Sequence, residues 1–281
     1  MTRPPPSPAP ALRRRVGDVE LLVLSDGLLR TPAELMVGAM PAEISGEFVA
    51  PDPHGDIWLG LNCVVIRTAE RVIVVDTGFG DGPHGDDADL VRSATAGLST
   101  ALAQEGIDPA DVNVVVNTHL HTDHCGGNLA WDSGVARPSF ANAHYLVQQA
   151  ELDWALSGGP ATEALYAPED VRLLAATGQL RTHDGDARIA PGISVMKAAG
   201  HTPGHQVIVV ESRGDTAVVT GDLAPMRMHV RHPGWELPGD HVPSVAAAAR
   251  TEFVRWARER KAAVMPYHEP DSCWVQLEEP S

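Results

Sequence analysis

The chain is short of positive charge. Its 281 residues carry 21 Lys and Arg against 37 Asp and Glu, a formal net charge of −16. Such a balance repels phosphate backbones and anionic lipid, so no nucleic acid and no membrane partner is expected. Cysteine is scarce as well. Cys63, Cys125 and Cys273 are an odd number at unpatterned spacing, which argues against a disulfide framework and for a reducing, cytoplasmic setting. No apolar run approaches the roughly 18 residues that a bilayer span requires. The start of the chain also lacks the apolar stretch of a secretory signal. It is Pro-rich and then basic, so residues 1–17 are expected to form a disordered tail and residues 18–281 one folded domain.

Apolar residues make up 43% of the chain and charged residues 21%, enough to bury a large core. Strand-like runs are expected at Val19 to Leu24, stopped by Ser25-Asp26-Gly27, and at Leu61 to Arg67 and Arg71 to Asp76, joined as a hairpin. Thr31 to Gly60 shows no period and is expected to be a long loop. Leu90, Ala94, Leu98 and Leu102 form one stripe of a helix over Asp87 to Gly106. A strand over Val112 to Asn117 and helices over Val147 to Leu156 and Glu169 to Ala176 follow. Next come strands over Ile193 to Lys197, Gln206 to Glu211 and Thr216 to Thr220. Val242 to Lys261 gives the longest helix, and Ala263 to Tyr267 a last strand. This mixture predicts a layered α/β fold in which polar residues gather after strand ends, where such folds bind ligands.

Thr118-His119-Leu120-His121-Thr122-Asp123-His124 is the densest chemical signal, with four potential metal ligands within six positions. In an extended chain His119 and His121 leave the same face and can share one ion. Asp123 and His124 then turn elsewhere, toward a second ion. Gly126-Gly127 lets the backbone pass close by. Imidazoles and carboxylates without thiolates suit zinc, with iron, manganese or cobalt as alternatives.

The HxHxDH pattern resembles the signature of the metallo-β-lactamase superfamily. Further motifs arrive in that family's order: Val75-Asp76-Thr77-Gly78, Gly200-His201-Thr202-Pro203-Gly204-His205, Thr220-Gly221-Asp222 and Pro266-Tyr267-His268. The resemblance runs from about Asp18 to the C-terminus and implies an αββα sandwich. It implies one ion on His119, His121 and His201, a second on Asp123, His124 and His268, and Asp222 bridging both. The implied activity is hydrolysis of a lactone or ester by a metal-bound hydroxide, with Asp123 and Asp222 as the catalytic carboxylates and Asp76 orienting a ligand histidine.

Within the superfamily the chain is most similar to N-acyl homoserine lactonases and related organophosphate or ester hydrolases. The alternatives are a phosphotriesterase, a thioesterase, or a biosynthetic or regulatory metalloprotein without hydrolytic chemistry. One departure bears on specificity: Pro225 stands three residues after Asp222, where many lactonases carry tyrosine. The expected partner is a small-molecule substrate, with a homodimer left open by the resemblance. The eight other histidines are expected to be structural or exposed, His229 and His232 in a solvated loop. Met226, Met228, Trp235, Phe48 and Trp58 are candidates for an apolar wall at the site or for ordinary core.

Overall fold

The computed structural model describes residues 10–82, 97–159, 162, 164–271 and 274–277. Two mixed sheets face each other. The first has the order β1 (Leu12–Val16), β2 (Val19–Pro32), β3 (Asp56–Arg67), β4 (Val72–Val75), β5 (Val114–Val116), β8 (His144–Gln148) and β9 (Leu180–His183). The second runs β10 (Ala187–Ala190), β11 (Ile193–Lys197), β12 (Gln206–Ser212), β13 (Asp215–Val219), β14 (Ala263–Met265) and β15 (Val275–Gln276). A separate hairpin joins β6 (Leu129–Asp132) to β7 (Val135–Pro138).

Why these segments form a sandwich follows from side-chain alternation. Successive residues of a strand point to opposite faces, and the central strands are apolar on both. Leu21, Val23, Val64 and Ile66 enter the core between the sheets, where they meet Ile193, Ile208, Val210 and Met265. Their neighbours Leu22, Leu24, Cys63 and Val65 face outward and are covered by Leu98 and Leu102 of α3 (Leu98–Gln104). On the other side Val207, Val209 and Val218 are covered by Phe253, Val254 and Ala257 of the helix Pro243–Glu259. Strands buried on both faces lose the polar–apolar alternation, which explains their near-continuous Val, Ile and Leu runs. The result is the αββα sandwich that the family resemblance implied. Among the described residues no helix is long and apolar enough to cross a membrane.

Several expectations need correction. Leu12–Val16, expected within the tail, is a strand: it pairs in full register with Val19 to Val23, and Val16 is buried in the central core. Arg13 to Arg15 hide this strand in the sequence; in the fold Arg13 pairs with Glu20 and the Arg14 guanidinium lies 5.2 Å over the Trp274 ring. Ser25-Asp26-Gly27 does not end β2 but shifts its register there, with Gly27 at φ 135° and its N–H on Ser25 Oγ. The expected loop Thr31 to Gly60 holds two short helices, α1 (Ala33–Val37) and α2 (Ala42–Ser45), and the first residues of β3. Of the helix expected over Asp87 to Gly106, residues 87–96 lie outside the described residues and the rest includes α3. Val147 to Leu156 splits between the end of β8 and α5 (Gln149–Ala155), while the next expected helix is present as α6 (Pro168–Ala176).

Candidate metal centre

Each chemically distinctive residue follows the C-terminal end of a strand or sits in a turn on that same edge. β4 delivers Asp76, β5 delivers Thr118 and His119, β13 delivers Asp222, β14 delivers His268, and the β11–β12 turn delivers His201. After His119 the chain stays extended through His121 (φ −63°, ψ 146°) and then starts α4 (Thr122–Cys125), which turns Asp123 and His124 to a different side.

All seven candidate ligands converge. His119, His121 and His201 bring three ligand atoms within 4.8 Å of one another, as do His119, His124 and Asp222, and also Asp123, His124 and His268. His121 Nδ1 and His201 Nε2 are 3.2 Å apart. Asp222 points one oxygen to each side: Oδ2 is 3.4 Å from His201 Nε2, while Oδ1 is 3.3 Å from both His124 Nε2 and His268 Nε2. Asp123 Oδ2 lies 3.5 Å from His268 Nε2.

Proton placement makes these histidines ready donors of lone pairs. His124 Nδ1–H donates to Asp76 (2.9 Å), His201 Nδ1–H to Asp240 (3.0 Å) and His268 Nδ1–H to the Gly60 carbonyl (2.9 Å). The Thr118 hydroxyl donates to Asp76, so His119 Nδ1–H donates to Thr118 Oγ1. With each Nδ1 proton engaged, each ring turns Nε2 to the cluster, where it is an acceptor or ligand once that atom is free of a proton. Among the described residues, His119 Nε2, His124 Nε2 and Asp222 Oδ1 are buried and have no hydrogen-bond partner. Buried polar atoms without partners are costly, and divalent cations held by the cluster would satisfy all three. The donor set therefore fits metal ions.

The electrostatics divide the cluster. Burial, and then the neighbouring histidines, push His119 and His121 well below the ordinary imidazole range. Burial also works against protonation of His124 and His268, but the Asp222 carboxylate outweighs it and holds both above that range. For Asp222, burial is outweighed by His268 and His124, which keep its carboxyl well below the usual value.

Residues 56–268 match the model of the metallo-beta-lactamase superfamily. The chain belongs to the metallo-β-lactamase superfamily. An N-acyl homoserine lactonase of Bacillus sp is 26% identical over 162 residues, 53% of this chain and 58% of that relative. The chain thus spans less than two thirds of the length of that curated relative. A probable metal-dependent hydrolase from Staphylococcus aureus superposes with a TM-score of 0.83 at 22% identity, over 95% of this chain and 100% of its own. AidC, a dizinc quorum-quenching lactonase, gives 0.76 at 21% identity, over 97% of this chain and 99% of its own. At these identities the two structures establish the shared superfamily fold.

The metallo-β-lactamase motifs account for the cluster itself, and the structure adds supports that the sequence did not disclose. Asp240 is buried between His201 and Arg250, whose guanidinium also donates to the carbonyls of Leu223 and Trp235. A signal was available: Arg250 lies on the buried stripe of Pro243–Glu259, between Ala246 and Phe253, and a buried cation requires a partner. Buried Glu151 was missed too, for want of any motif. His205, expected to be a non-ligand, is buried and accepts the Asp222 N–H through Nε2 at 3.1 Å.

His229 corrects the solvated-loop expectation. It is fully buried on α7 (Arg227–Arg231), donates to the Met36 carbonyl at 2.8 Å and accepts the Met226 N–H. Burial and then Arg250 push its pKa down to about 3, so the neutral ring serves as a pin between α7 and α1. That pin closes an apolar cluster of Met226, Met228, Met40, Ile57 and Leu59, against which Phe48 and Trp235 pack; Trp58 lies outside it. Pro225 supports the centre through its backbone, where its carbonyl accepts the His268 N–H at 2.8 Å. Tyr267 stacks on His124 and donates to the Asp123 carbonyl, leaving its hydroxyl engaged.

Proposed function

We propose that the cluster holds two divalent metal ions, zinc by the nature of its donors, and that the chain is a hydrolase opening a lactone or another carboxylic ester. The observation that carries this reading is the split of the Asp222 carboxylate, with one oxygen toward His201 and the other toward His124 and His268. A carboxylate placed so can span two ions. His119, His121 and His201 would hold one, and Asp123, His124 and His268 the other. Bound ions would supply a water acidic enough to ionise near neutral pH and a Lewis acid for the scissile carbonyl.

The chain's own residues do the rest. The Asp123 side chain keeps 20% of its surface exposed, against 8% for Asp222 and 2% for His268. It is the carboxylate open to substrate, placed to take a proton from the attacking water and pass it to the leaving oxygen. The methionine-rich cluster under α1 is buried core, and its partly exposed rim of Met36, Phe48 and Trp235 offers the apolar surface that an acyl chain would use. Lactones come first among substrates because curated relatives are named as N-acyl homoserine lactonases. With proline at 225, no phenol from that position helps to orient the carbonyl. The substrate is a small molecule, met in a reducing cytoplasm where Cys63 and Cys125 stay as buried free thiols.

The test is turnover of a panel by the zinc-loaded protein: acyl homoserine lactones, aryl esters, a phosphotriester and an acyl thioester. Lactone or ester opening that chelation abolishes supports the reading. Turnover of the phosphotriester or thioester alone reassigns the substrate class, and inertness toward every member contradicts hydrolysis of these bonds.

A further inference from the structure

Glu151 stands in the first turn of α5, wholly buried, and its carboxylate accepts four hydrogen bonds. Oε1 accepts the Leu120 N–H and the Tyr166 hydroxyl, each at 3.0 Å. Oε2 accepts the Thr202 hydroxyl at 2.6 Å and the Gly204 N–H at 3.0 Å. An ionised carboxylate offers about four acceptor sites and no donor, so this set fills it.

The four donors are not scattered. Leu120 lies between His119 and His121, while Thr202 and Gly204 lie just after His201. The Tyr166 ring stands edge-on to the His121 ring, with centroids 4.7 Å apart. One strand-end loop comes from β5 in the first sheet and the other from the β11–β12 turn in the second. The close approach is tight at the backbone: a Cβ on Gly204 would lie 2.3 Å from the Glu151 nitrogen. None of the four contacts reaches Asp123, His124 or His268.

We infer that Glu151 is the positioning residue of one ion site only, tying the two loops together so that His121 and His201 stand at the separation the His119–His121–His201 triad needs. This rests on the dinuclear reading above. Replacing Glu151 by Gln turns one acceptor into a donor. Whichever way the amide lies, one pair of donors, Leu120 with Tyr166 or Thr202 with Gly204, then faces an NH2 group and one side of the tie opens.

The experiment is a zinc titration of the metal-free full chain and of Glu151→Gln against a chromophoric chelator. Elemental analysis counts retained ions, and circular dichroism checks the fold. The wild type should bind two ions. Glu151→Gln should keep one at wild-type affinity and hold the other about 10- to 100-fold more weakly, the usual consequence of losing an outer support. Its cobalt-loaded visible spectrum should match that of His201→Ala rather than that of His268→Ala. Unchanged affinities, or equal weakening of both ions, overturns the inference. If Glu151→Gln does not fold, Thr202→Val and Tyr166→Phe each remove one donor; they should show the same asymmetry at smaller size, and a symmetric loss overturns it. A wild type binding fewer than two ions fails the dinuclear reading itself, visible before any variant is compared.

Discussion

The two triads around Asp222 differ in chemistry and in support. His119, His121 and His201 are all imidazoles, and burial holds His119 and His121 in the neutral form. They are braced by neutral and anionic partners deep in the fold: Thr118, Asp240 with Arg250, and Glu151 through its loops. The triad of Asp123, His124 and His268 includes a partly exposed carboxylate, and its two imidazoles are held toward the protonated form by Asp222. Its braces are Asp76 and the Gly60 carbonyl. The contrast separates two jobs. On the dinuclear reading proposed above, one triad would be preformed to retain a cation, while the other would give up protons to gain one and would face the substrate.

Removing the shared residue should have the largest effect. Asp222→Asn takes a charge from both triads at once, and zinc analysis should find fewer than two ions. Turnover should fall by more than the roughly 100-fold typical of losing an outer support. Retention of both ions with normal rates would erase the distinction between a shared carboxylate and a bystander.

Next in size is Asp240→Ala, which strips the partner from an Arg250 side chain that is 0% exposed. Breaking a buried pair from one side costs about 3–5 kcal/mol, so thermal melting should show a drop of on the order of 10 °C for a domain of this size. The same variant frees the His201 ring, so the ion of the all-imidazole triad should be weakened as well. Asp76→Asn is the mirror experiment. It should cost about 10- to 100-fold in affinity at the other triad, and an effect of the same size on both ions would break the comparison.

The smallest effect sharpens the contrast most. His124 and His268 are held above the ordinary imidazole pKa of about 6.5. An incoming ion must therefore displace protons there, and its affinity should fall as pH is lowered from about 8 to about 6. His119 and His121 are held below that value, so neither gives up a proton in this window and affinity at their triad should fall less steeply. Zinc titrations at three pH values measure both slopes; equal slopes would show that the two triads titrate alike.

Much of the centre was legible because its ligands are local. His119, His121, Asp123 and His124 fall within six positions, and the other candidate ligand motifs, each after a strand or in a turn beside one, were reached through the family resemblance. A layered α/β fold was legible from the apolar strand runs, and the family resemblance supplied the αββα order. What escaped is set by distant partners. Asp240 gains its role from His201, 39 positions away, and Glu151 gains its from Leu120 and Thr202, 31 and 51 positions away. No period encodes such contacts. β1 was hidden because its arginines find partners only in the folded state, at Glu20 and Trp274. His229 was read as solvated because nothing in its neighbourhood announces the Met36 carbonyl, 193 positions back, that receives its proton.

The most direct measurement is anomalous diffraction at the zinc edge from crystals of the zinc-loaded protein. Two peaks per chain are expected, one among His119, His121 and His201 and one among Asp123, His124 and His268, with an Asp222 oxygen on each. A single peak, or two peaks without Asp222 between them, would contradict the dinuclear centre.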